Sequence, residues 1–384
     1  MLVALASSSL AFCGEIHDAA EAGDLDKIKT LRANGVDINA KDSDGWSAIE
    51  YAAVEAHADC VKFLISAHAD LNTKDKNGIT PLWQVIITEE IFQSRGNMTG
   101  IAGHADCLRL LIAAGTDVTD LDKRGFTPLI VAAIMGNSAR VKALAAEHTD
   151  VDVQDKTFGL TALMMAADHG DSDCINALLA AHADLNAADM DGWTALKYAV
   201  AAGHTDCAKA LIAAHADVNT KDIFGITPLK YAACAGYTDC VKALIAAGSD
   251  VKTKDIFDNT VLMWAANSGN TDCVKALVAA GAEVKTKNSG GETALVWSVY
   301  ATKRQVMEQQ IWKKGPGKIT SDNAQVWTIA CKIPTGAFSM DCIKALVAAG
   351  SDVNARNSDG NTALNLAKDH ADIVAILKGS GAEE

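Results

Sequence analysis

No apolar run in the 384-residue chain approaches the roughly 20 residues needed to span a bilayer. Basic residues are in the minority, with 34 Lys and Arg against 48 Asp and Glu, a net charge of −14. Phosphate neutralisation needs clustered cations, so this balance argues against a nucleic-acid backbone as the main partner. No charge block dominates and 49% of the residues are apolar, which excludes a disordered chain. Aromatic residues are scarce at 5%. Signatures of catalysis are missing as well: there is no H-E-x-x-H and no G-x-S-x-G. Gly315-Pro316-Gly317-Lys318-Ile319-Thr320 fails as a phosphate loop, because Ile follows the lysine and Trp312 stands where the first glycine is needed. The sequence predicts neither catalytic activity nor a cofactor.

Self-similarity is what the chain does have. Gly192 to Phe224 reads GWTALKYAVAAGHTDCAKALIAAHADVNTKDIF, and Gly225 to Phe257 reads GITPLKYAACAGYTDCVKALIAAGSDVKTKDIF. Further units open at Phe12, Gly45, Gly78, Gly125, Gly159, Asp258 and Gly291, then at about Asn323 and at Gly360. The spacing counts about eleven units over residues 12–384, read as one domain, and this period overrides the two or three domains that length alone would suggest.

Each unit reads as helix, tight turn, helix and extended loop. Thr opens the first helix as an N-cap, and Pro is tolerated next because the first-turn N–H has no intrahelical partner. Paired alanines keep one helix face thin. Glycines such as Gly203, Gly236 and Gly269 stop this helix. The second helix opens on Thr-Asp or Ala-Asp, where a carboxylate suits the positive helix end. It closes on Gly35, Gly115, Gly248, Gly281 or Gly350, and on His at His68, His148, His182 and His215, a less comfortable left-handed cap.

Gly78-Ile79-Thr80-Pro81-Leu82, Gly125-Phe126-Thr127-Pro128-Leu129 and Gly225-Ile226-Thr227-Pro228-Leu229, with Ala216-Asp217-Val218-Asn219 and Ser351-Asp352-Val353-Asn354, carry a resemblance to the ankyrin repeat. It covers nearly the whole chain. It implies an all-α repeat solenoid of stacked helix-turn-helix units with hairpin loops, curved, with a concave binding face. The family's His after T-P-L survives only at His17; Trp83, Lys197, Lys230 and Met263 replace it elsewhere, which puts the local hydrogen-bond network in question.

End units need polar outer faces, since a single repeat cannot bury its apolar side alone. The first supplies Glu15, Asp18, Glu21 and Asp24; the last supplies Lys368, Asp369, Asp372 and Lys378. Residues 1–11 fall outside the repeat. Their apolar run, with Ser9 and Ala11 before Phe12, predicts the tail of a truncated signal peptide and so export to a periplasm or beyond; a disordered leader is the alternative. Unpaired thiols suit a reducing compartment instead. Two insertions interrupt the period, at about 88–102 and 302–339. Residues 303–322 hold Lys303, Arg304, Lys313, Lys314 and Lys318 against Glu308 and Asp322, so 5 − 2 = +3, a basic island on an acidic chain.

Seven of ten cysteines recur at one position: Cys60, Cys107, Cys174, Cys207, Cys240, Cys273 and Cys342. Neighbouring helix axes lie roughly 8–10 Å apart, too far for disulfides, so these thiols are expected to pack as small apolar groups. Cys234 and Cys240, in one unit, are the pair to check for bonding. His-x-Asp-Cys at His57, His104 and His204 suggests zinc, but Tyr237, Asn270 and Asp171 occupy the His position elsewhere, so no metal site is expected. The positions flanking each leading glycine are more informative. Trp46, Ile79, Phe126, Phe158, Leu160, Met190, Trp193, Ile223, Phe224, Ile226, Ile256 and Phe257 are large and apolar, and the family places them at hairpin tips. Ile134, Met135, Asp168 and His169, at first-helix ends, are expected on the same side. Tyr51, Tyr198, Tyr231, Trp264 and Trp297, within the first helices, are expected to fill gaps between units. Apolar groups spaced along a ridge predict a protein partner held in the concave groove, with the chain a monomeric scaffold or inhibitor. The alternatives are a Cys/His redox or metal-binding repeat protein, and a structural spacer without a specific ligand.

Overall fold

Threonine caps start the first helices as the repeat pattern requires. In the computed structural model, Thr127 accepts a hydrogen bond from the Ile130 N–H and Thr227 from the Lys230 N–H, with Pro128 and Pro228 in the first turn. Gly236 and Gly269 end their helices at φ 75° and 70°, the left-handed region where a side chain is strained. His68, His182 and His215 adopt the same region at φ 65°, 62° and 70°, as the substitution of His for Gly implied.

The structure describes residues 14–93, 101–118, 121, 125–146, 150–300 and 340–383, of which 88–93, 101–103 and 105 by their backbone. The leader 1–11, His148, the basic island and residues 301–339 lie outside it. Among the described residues the fold is an all-α repeat solenoid with no strand, only one isolated bridge between Lys254 and Thr260. Ten helix pairs are present there, from 14–21 with Leu25–Ala33 to Ala363–Leu366 with Ala371–Gly379. Contacts divide the chain into two compact units, Met1–Leu163 with Asn176–Ala183, and Met164–Ile175 with Asp184–Glu384.

Most pairs bury alanines on the first helix, such as Ala52 and Ala53 or Ala232 and Ala233, against an apolar face on the second, such as Cys240, Val241 and Leu244. Polar ties then fix the register between repeats. The His57 ring donates to the Glu21 carbonyl and the His204 ring to the Asp168 carbonyl, both at 2.9 Å. These rings lie over Gly23 and Gly170, and a Cβ at Gly170 would fall 2.4 Å from the His204 ring. The Asn that ends the Asp-x-Asn segment accepts an N–H from the following repeat, as Asn186 does from Asp217 and Asn219 from Asp250 at 2.8 Å.

The same ties locate the second insertion. Thr205 and Cys240, or Thr238 and Cys273, meet side chain to side chain across 35 residues of sequence; Thr271 and Cys342 meet likewise across 71. Gly290 accepts from the Ser358 N–H where Phe224 accepts from Ile256. Helix 294–300, opened by the unit at Gly291, is thus completed by Met340–Ala348, and the next tip belongs to the unit at Gly360. The described helix pairs number ten where the spacing counted eleven, because the unit counted from Asn323 contributes its second helix to the repeat begun at Gly291. The opening glycines are 360 − 291 = 69 residues apart, an excess of 36 over the 33-residue period of most units. Deleting residues 304–339, with Thr302→Gly and Lys303→Asn to make an ordinary turn, is expected to give a soluble protein whose helical circular dichroism persists and whose Tm stays within about 5 °C. A chain that no longer melts cooperatively would contradict this placement.

Candidate functional site

A side-chain oxygen at the base of the tip shapes the loop, in most repeats that of an aspartate. One oxygen of Asp222 accepts the N–H groups of Phe224 and Ile226 at 2.9 and 2.8 Å; Asp255 accepts those of Phe257 and Asn259, both at 2.9 Å. Asp42, Asp75 and Asp189 repeat the geometry, and Asn288 and Asn357 reproduce it with an amide oxygen. Accepting two main-chain N–H groups pins the turn and sends the one or two residues after the Asp outward. The residue four places on folds back towards the helices.

The predicted tip residues accordingly divide into two groups. Phe158, Met190 and Phe257 point outward at 58%, 64% and 63% exposure, joined by Ile223 at 59% and Ile256 at 58%. Trp46, Ile79, Phe126, Met135, Leu160, Trp193, Phe224 and Ile226 are half-buried. Trp193 packs its ring 5.1 Å from Tyr198 and 5.0 Å from Tyr231, and Trp46 lies 5.1 Å from Tyr51, so these two tryptophans brace their tips. In the second unit the structure brings Met190, Ile223, Phe224, Ile256 and Phe257 together on three consecutive tips. Their backbones are joined by bonds from Ile223 N–H to Asp191 O, Ile256 N–H to Phe224 O and Ser289 N–H to Phe257 O. Phe158 belongs to the first unit, as do Trp46, Ile79, Phe126, Met135 and Leu160.

The inner aromatics do more than fill gaps. Tyr51 and Tyr198 donate to the second oxygens of Asp42 and Asp189 at 2.7 Å, and the Trp264 indole donates to Asp255 at 3.1 Å. Burial and the adjacent carboxylate hold the Tyr198 phenol well above its ordinary pKa.

Two buried lysines form struts that sequence reading did not anticipate. Lys197 is 0% exposed; its ammonium donates to the Ile226 carbonyl at 2.8 Å and sits 3.5 Å from the Asp222 carboxylate. Lys230 donates to the Asn259 carbonyl at 3.1 Å and lies 3.6 Å from Asp255. Burial pulls both ammonium groups down to about 8, against the opposing pull of the aspartates. These lysines occupy the position after T-x-L, where His17 donates to the Ala40 carbonyl in the first repeat. Each reaches an Asp 25 residues later, across the repeat interface. Where that position holds Met263, the matching tip residue is the neutral Asn288. A lysine on an otherwise apolar helix face, 25 residues before a tip Asp, was the legible signal.

The same position in the second repeat holds Glu50, 0% exposed. It accepts the Ser47 N–H, which closes a capping box. Burial pushes its carboxyl up to about 7, helped by Asp75 and opposed by the Ser47 bonds and Lys41.

The thiols pack inside. Eight described cysteines are reduced and buried, Cys234 and Cys240 among them, and no disulfide joins them. Burial raises the pKa of Cys60, Cys240 and Cys273 and pushes Cys107 up to about 12. Cys207 meets the Ser172 hydroxyl at 3.3 Å and Cys240 that of Thr205 at 3.3 Å. The His-x-Asp-Cys histidines spend a ring N–H on the preceding repeat. Among the described residues no group of three His, Cys, Asp or Glu side chains is placed to hold a metal ion, and no helix is long and apolar enough to cross a membrane.

The family model for ankyrin repeats, described as three copies, matches residues 16–92, 98–155, 136–222, 166–255 and 229–311. The chain belongs to the ankyrin repeat family. It is 46% identical over 63 residues to the putative ankyrin repeat protein YahD of Escherichia coli strain K12, covering 16% of this chain and 31% of that protein. It is 30% identical over 79 residues to protein phosphatase 1 regulatory subunit 27 of Homo sapiens, covering 21% and 51%. It is 40% identical over 68 residues to cortactin-binding protein 2 of Rattus norvegicus, covering 17% and 4%. Each match covers about half or less of the relative's own length. Ankyrin repeats are generally protein-interaction modules and typically not enzymes.

Within this ankyrin stack the Lys–Asp struts make a measurable claim. Lys197→Met alone leaves the Asp222 carboxylate buried without its cation and is expected to cost about 3–5 kcal/mol in urea unfolding. Adding Asp222→Asn reproduces the Met263–Asn288 pairing and should recover most of it. Additive losses would show that the two groups are uncoupled. Glu50 predicts a pH effect. Its folded-state pKa lies above its unfolded one, so its stabilisation is full below pH 4.5 and is lost as pH rises through about 7. Glu50→Gln should therefore gain on the parent protein by about 2 kcal/mol between pH 5 and pH 8, read from paired melting curves. A pH-independent difference would refute the buried acid.

Proposed function

We propose that this protein is a non-catalytic binding scaffold that holds a protein partner against the tips of its second unit. The observation that carries the reading is the cluster Met190, Ile223, Phe224, Ile256 and Phe257, four of them more than half exposed. A tip that only faces water gains nothing from isoleucine and phenylalanine. Transferring each such side chain into an interface contributes roughly 1.5–3 kcal/mol, so three or four suffice as the anchors of a specific complex. Phe158, on the first unit, offers a further anchor of the same kind, and Trp46, Ile79, Phe126, Met135, Leu160, Trp193 and Ile226 offer partly exposed edges.

The net charge of −14 supports a protein rather than a nucleic-acid partner. The chain acts as a monomer in this reading, each copy presenting its own ridge. A redox role is disfavoured by thiols that are buried, several of them against a neighbouring hydroxyl. A bare spacer is disfavoured by the apolar tips themselves. Trp193 is a poor choice of test residue, because its ring packs on Tyr198 and Tyr231. Ile223→Ser, Ile256→Ser and Phe257→Ser combined should leave Tm within a few degrees while abolishing capture of partners from a lysate of the source cells. Unchanged capture by the triple variant would end this reading; a collapsed Tm would mean the side chains hold the fold.

A further inference from the structure

The first helices of the second unit carry a row of aromatic side chains. Tyr198, Tyr231, Trp264 and Trp297 stand 33 residues apart, one on each of four consecutive first helices, and all are half-buried. Trp193 bridges the first two, 5.1 Å from the Tyr198 ring and 5.0 Å from that of Tyr231, and Trp264 meets Trp297 edge-on at 5.5 Å. Three of the rings spend their polar ends on carboxylates: Tyr198 on Asp189, Trp264 on Asp255, and Trp297 on Glu292 at 2.8 Å. What these rings leave accessible is therefore carbon. The residues four places on, which share the helix face, are Ala202, Ala235 and Ser268, too small to cover the rings.

Carboxylates border this row. Burial holds the Tyr198, Tyr231 and Tyr300 phenols above their ordinary pKa, and the charges that add to it are Asp189, Asp168 and Asp191 at Tyr198, Asp222 and Asp191 at Tyr231, and Glu292 and Asp359 at Tyr300. On the described tips and first helices of the unit, Lys197, Lys230 and Lys254 are paired with Asp222, Asp255 and Asp258. The charges that remain there are Lys221, Lys287 and Arg356 against Asp168, Asp189, Asp191, Glu292 and Asp359, so 3 − 5 = −2. Lys287 and Arg356 are moreover turned onto the main-chain carbonyls of Arg356 and Gly360. The fold itself lays a cation on this row, since the Lys197 ammonium lies 6.0 Å from the Trp193 ring centroid.

We propose that the aromatic row takes a basic, arginine-rich segment of the partner, with guanidinium groups laid on the rings and paired with the carboxylates beside them. The inference rests on the binding reading above and names the chemistry of the partner's segment. An aromatic face attracts a cation through its quadrupole, and the planar guanidinium can stack on a ring while its N–H groups reach a carboxylate. Acids next to the rings add to that attraction and repel an acidic segment.

The probe is a synthetic peptide of six Arg-Ser pairs, compared with a Lys-Ser and a Glu-Ser peptide by fluorescence anisotropy against the full chain at physiological salt. The Arg peptide should bind, the Lys peptide about threefold or more weakly, and the Glu peptide not at all. Tyr231→Leu with Trp297→Leu should weaken the Arg peptide about tenfold. Asp168→Asn with Asp191→Asn, both exposed, should weaken it about threefold at an unchanged Tm, and decides the matter if the double Leu variant does not fold. Asp217→Asn with Asp250→Asn removes the same charge from the loops after the second helices and should change binding little. Equal losses in the two Asn pairs would mean attraction to bulk negative charge and would overturn the proposal. So would an Arg peptide that does not bind, equal binding of the Arg and Lys peptides, or full affinity in a folded double Leu variant. If the peptide fails while the triple serine variant still loses its cellular partner, the arginine chemistry is wrong and the tip reading stands. If the peptide binds while that variant keeps its partner, the tips fall and the aromatic row stands.

Discussion

A side-chain oxygen that accepts two main-chain N–H groups sits at the base of seven tips with one geometry, and the rest of the structure is arranged around it. It fixes the turn, and through the turn it decides which side chain points out and which folds back. Because the turn is rigid, its backbone lies close enough to the next tip to exchange a hydrogen bond, as Ile256 does with Phe224. The tips therefore add to the stacking that the helices begin. A tip that wandered would lose both its register and its outward residue.

That carboxylate is partly buried, so it needs a partner for its second oxygen. The chain meets this need with different chemistry in different repeats: Tyr51 and Tyr198 donate a phenol, Gln84 an amide, Trp264 an indole, Lys197 and Lys230 an ammonium. Asn288 and Asn357 carry no charge and stand opposite Met263 and Val296. At the position after T-x-L, Lys197 and Lys230 reach the tip Asp of the next repeat, whereas Tyr51, Gln84, Tyr198 and Trp264, one place later, bond the Asp of their own tip. The two ammonium struts are the costliest of these solutions, and they underlie the two tips with the largest adjacent apolar pairs.

The histidines and cysteines show how one pattern can suggest chemistry and serve packing. In the motifs at His57 and His204 the ring lies over the preceding repeat's glycine with its N–H on that repeat's helix-end carbonyl, and Cys207 meets the Ser172 hydroxyl. Tyr237 and Asn270 lie over Gly203 and Gly236 in the same way, so what the position requires is a group that fits against a bare backbone.

Most of the fold was legible because a 33-residue period repeats cap, alanine face, Leu face and terminating Gly or His often enough to be counted. The large apolar tip residues were legible too, as a set flanking each glycine. Sequence alone could not divide that set, since Trp193 and Phe257 are both aromatic at a tip; only the turn geometry sends one back onto Tyr198 and Tyr231 and the other into solvent. Nor could it pair Lys197 with Asp222 or Met340–Ala348 with helix 294–300. Those contacts join residues one or two periods apart, and a periodic pattern states what each unit contains while leaving to the stacked structure which neighbour each side chain meets.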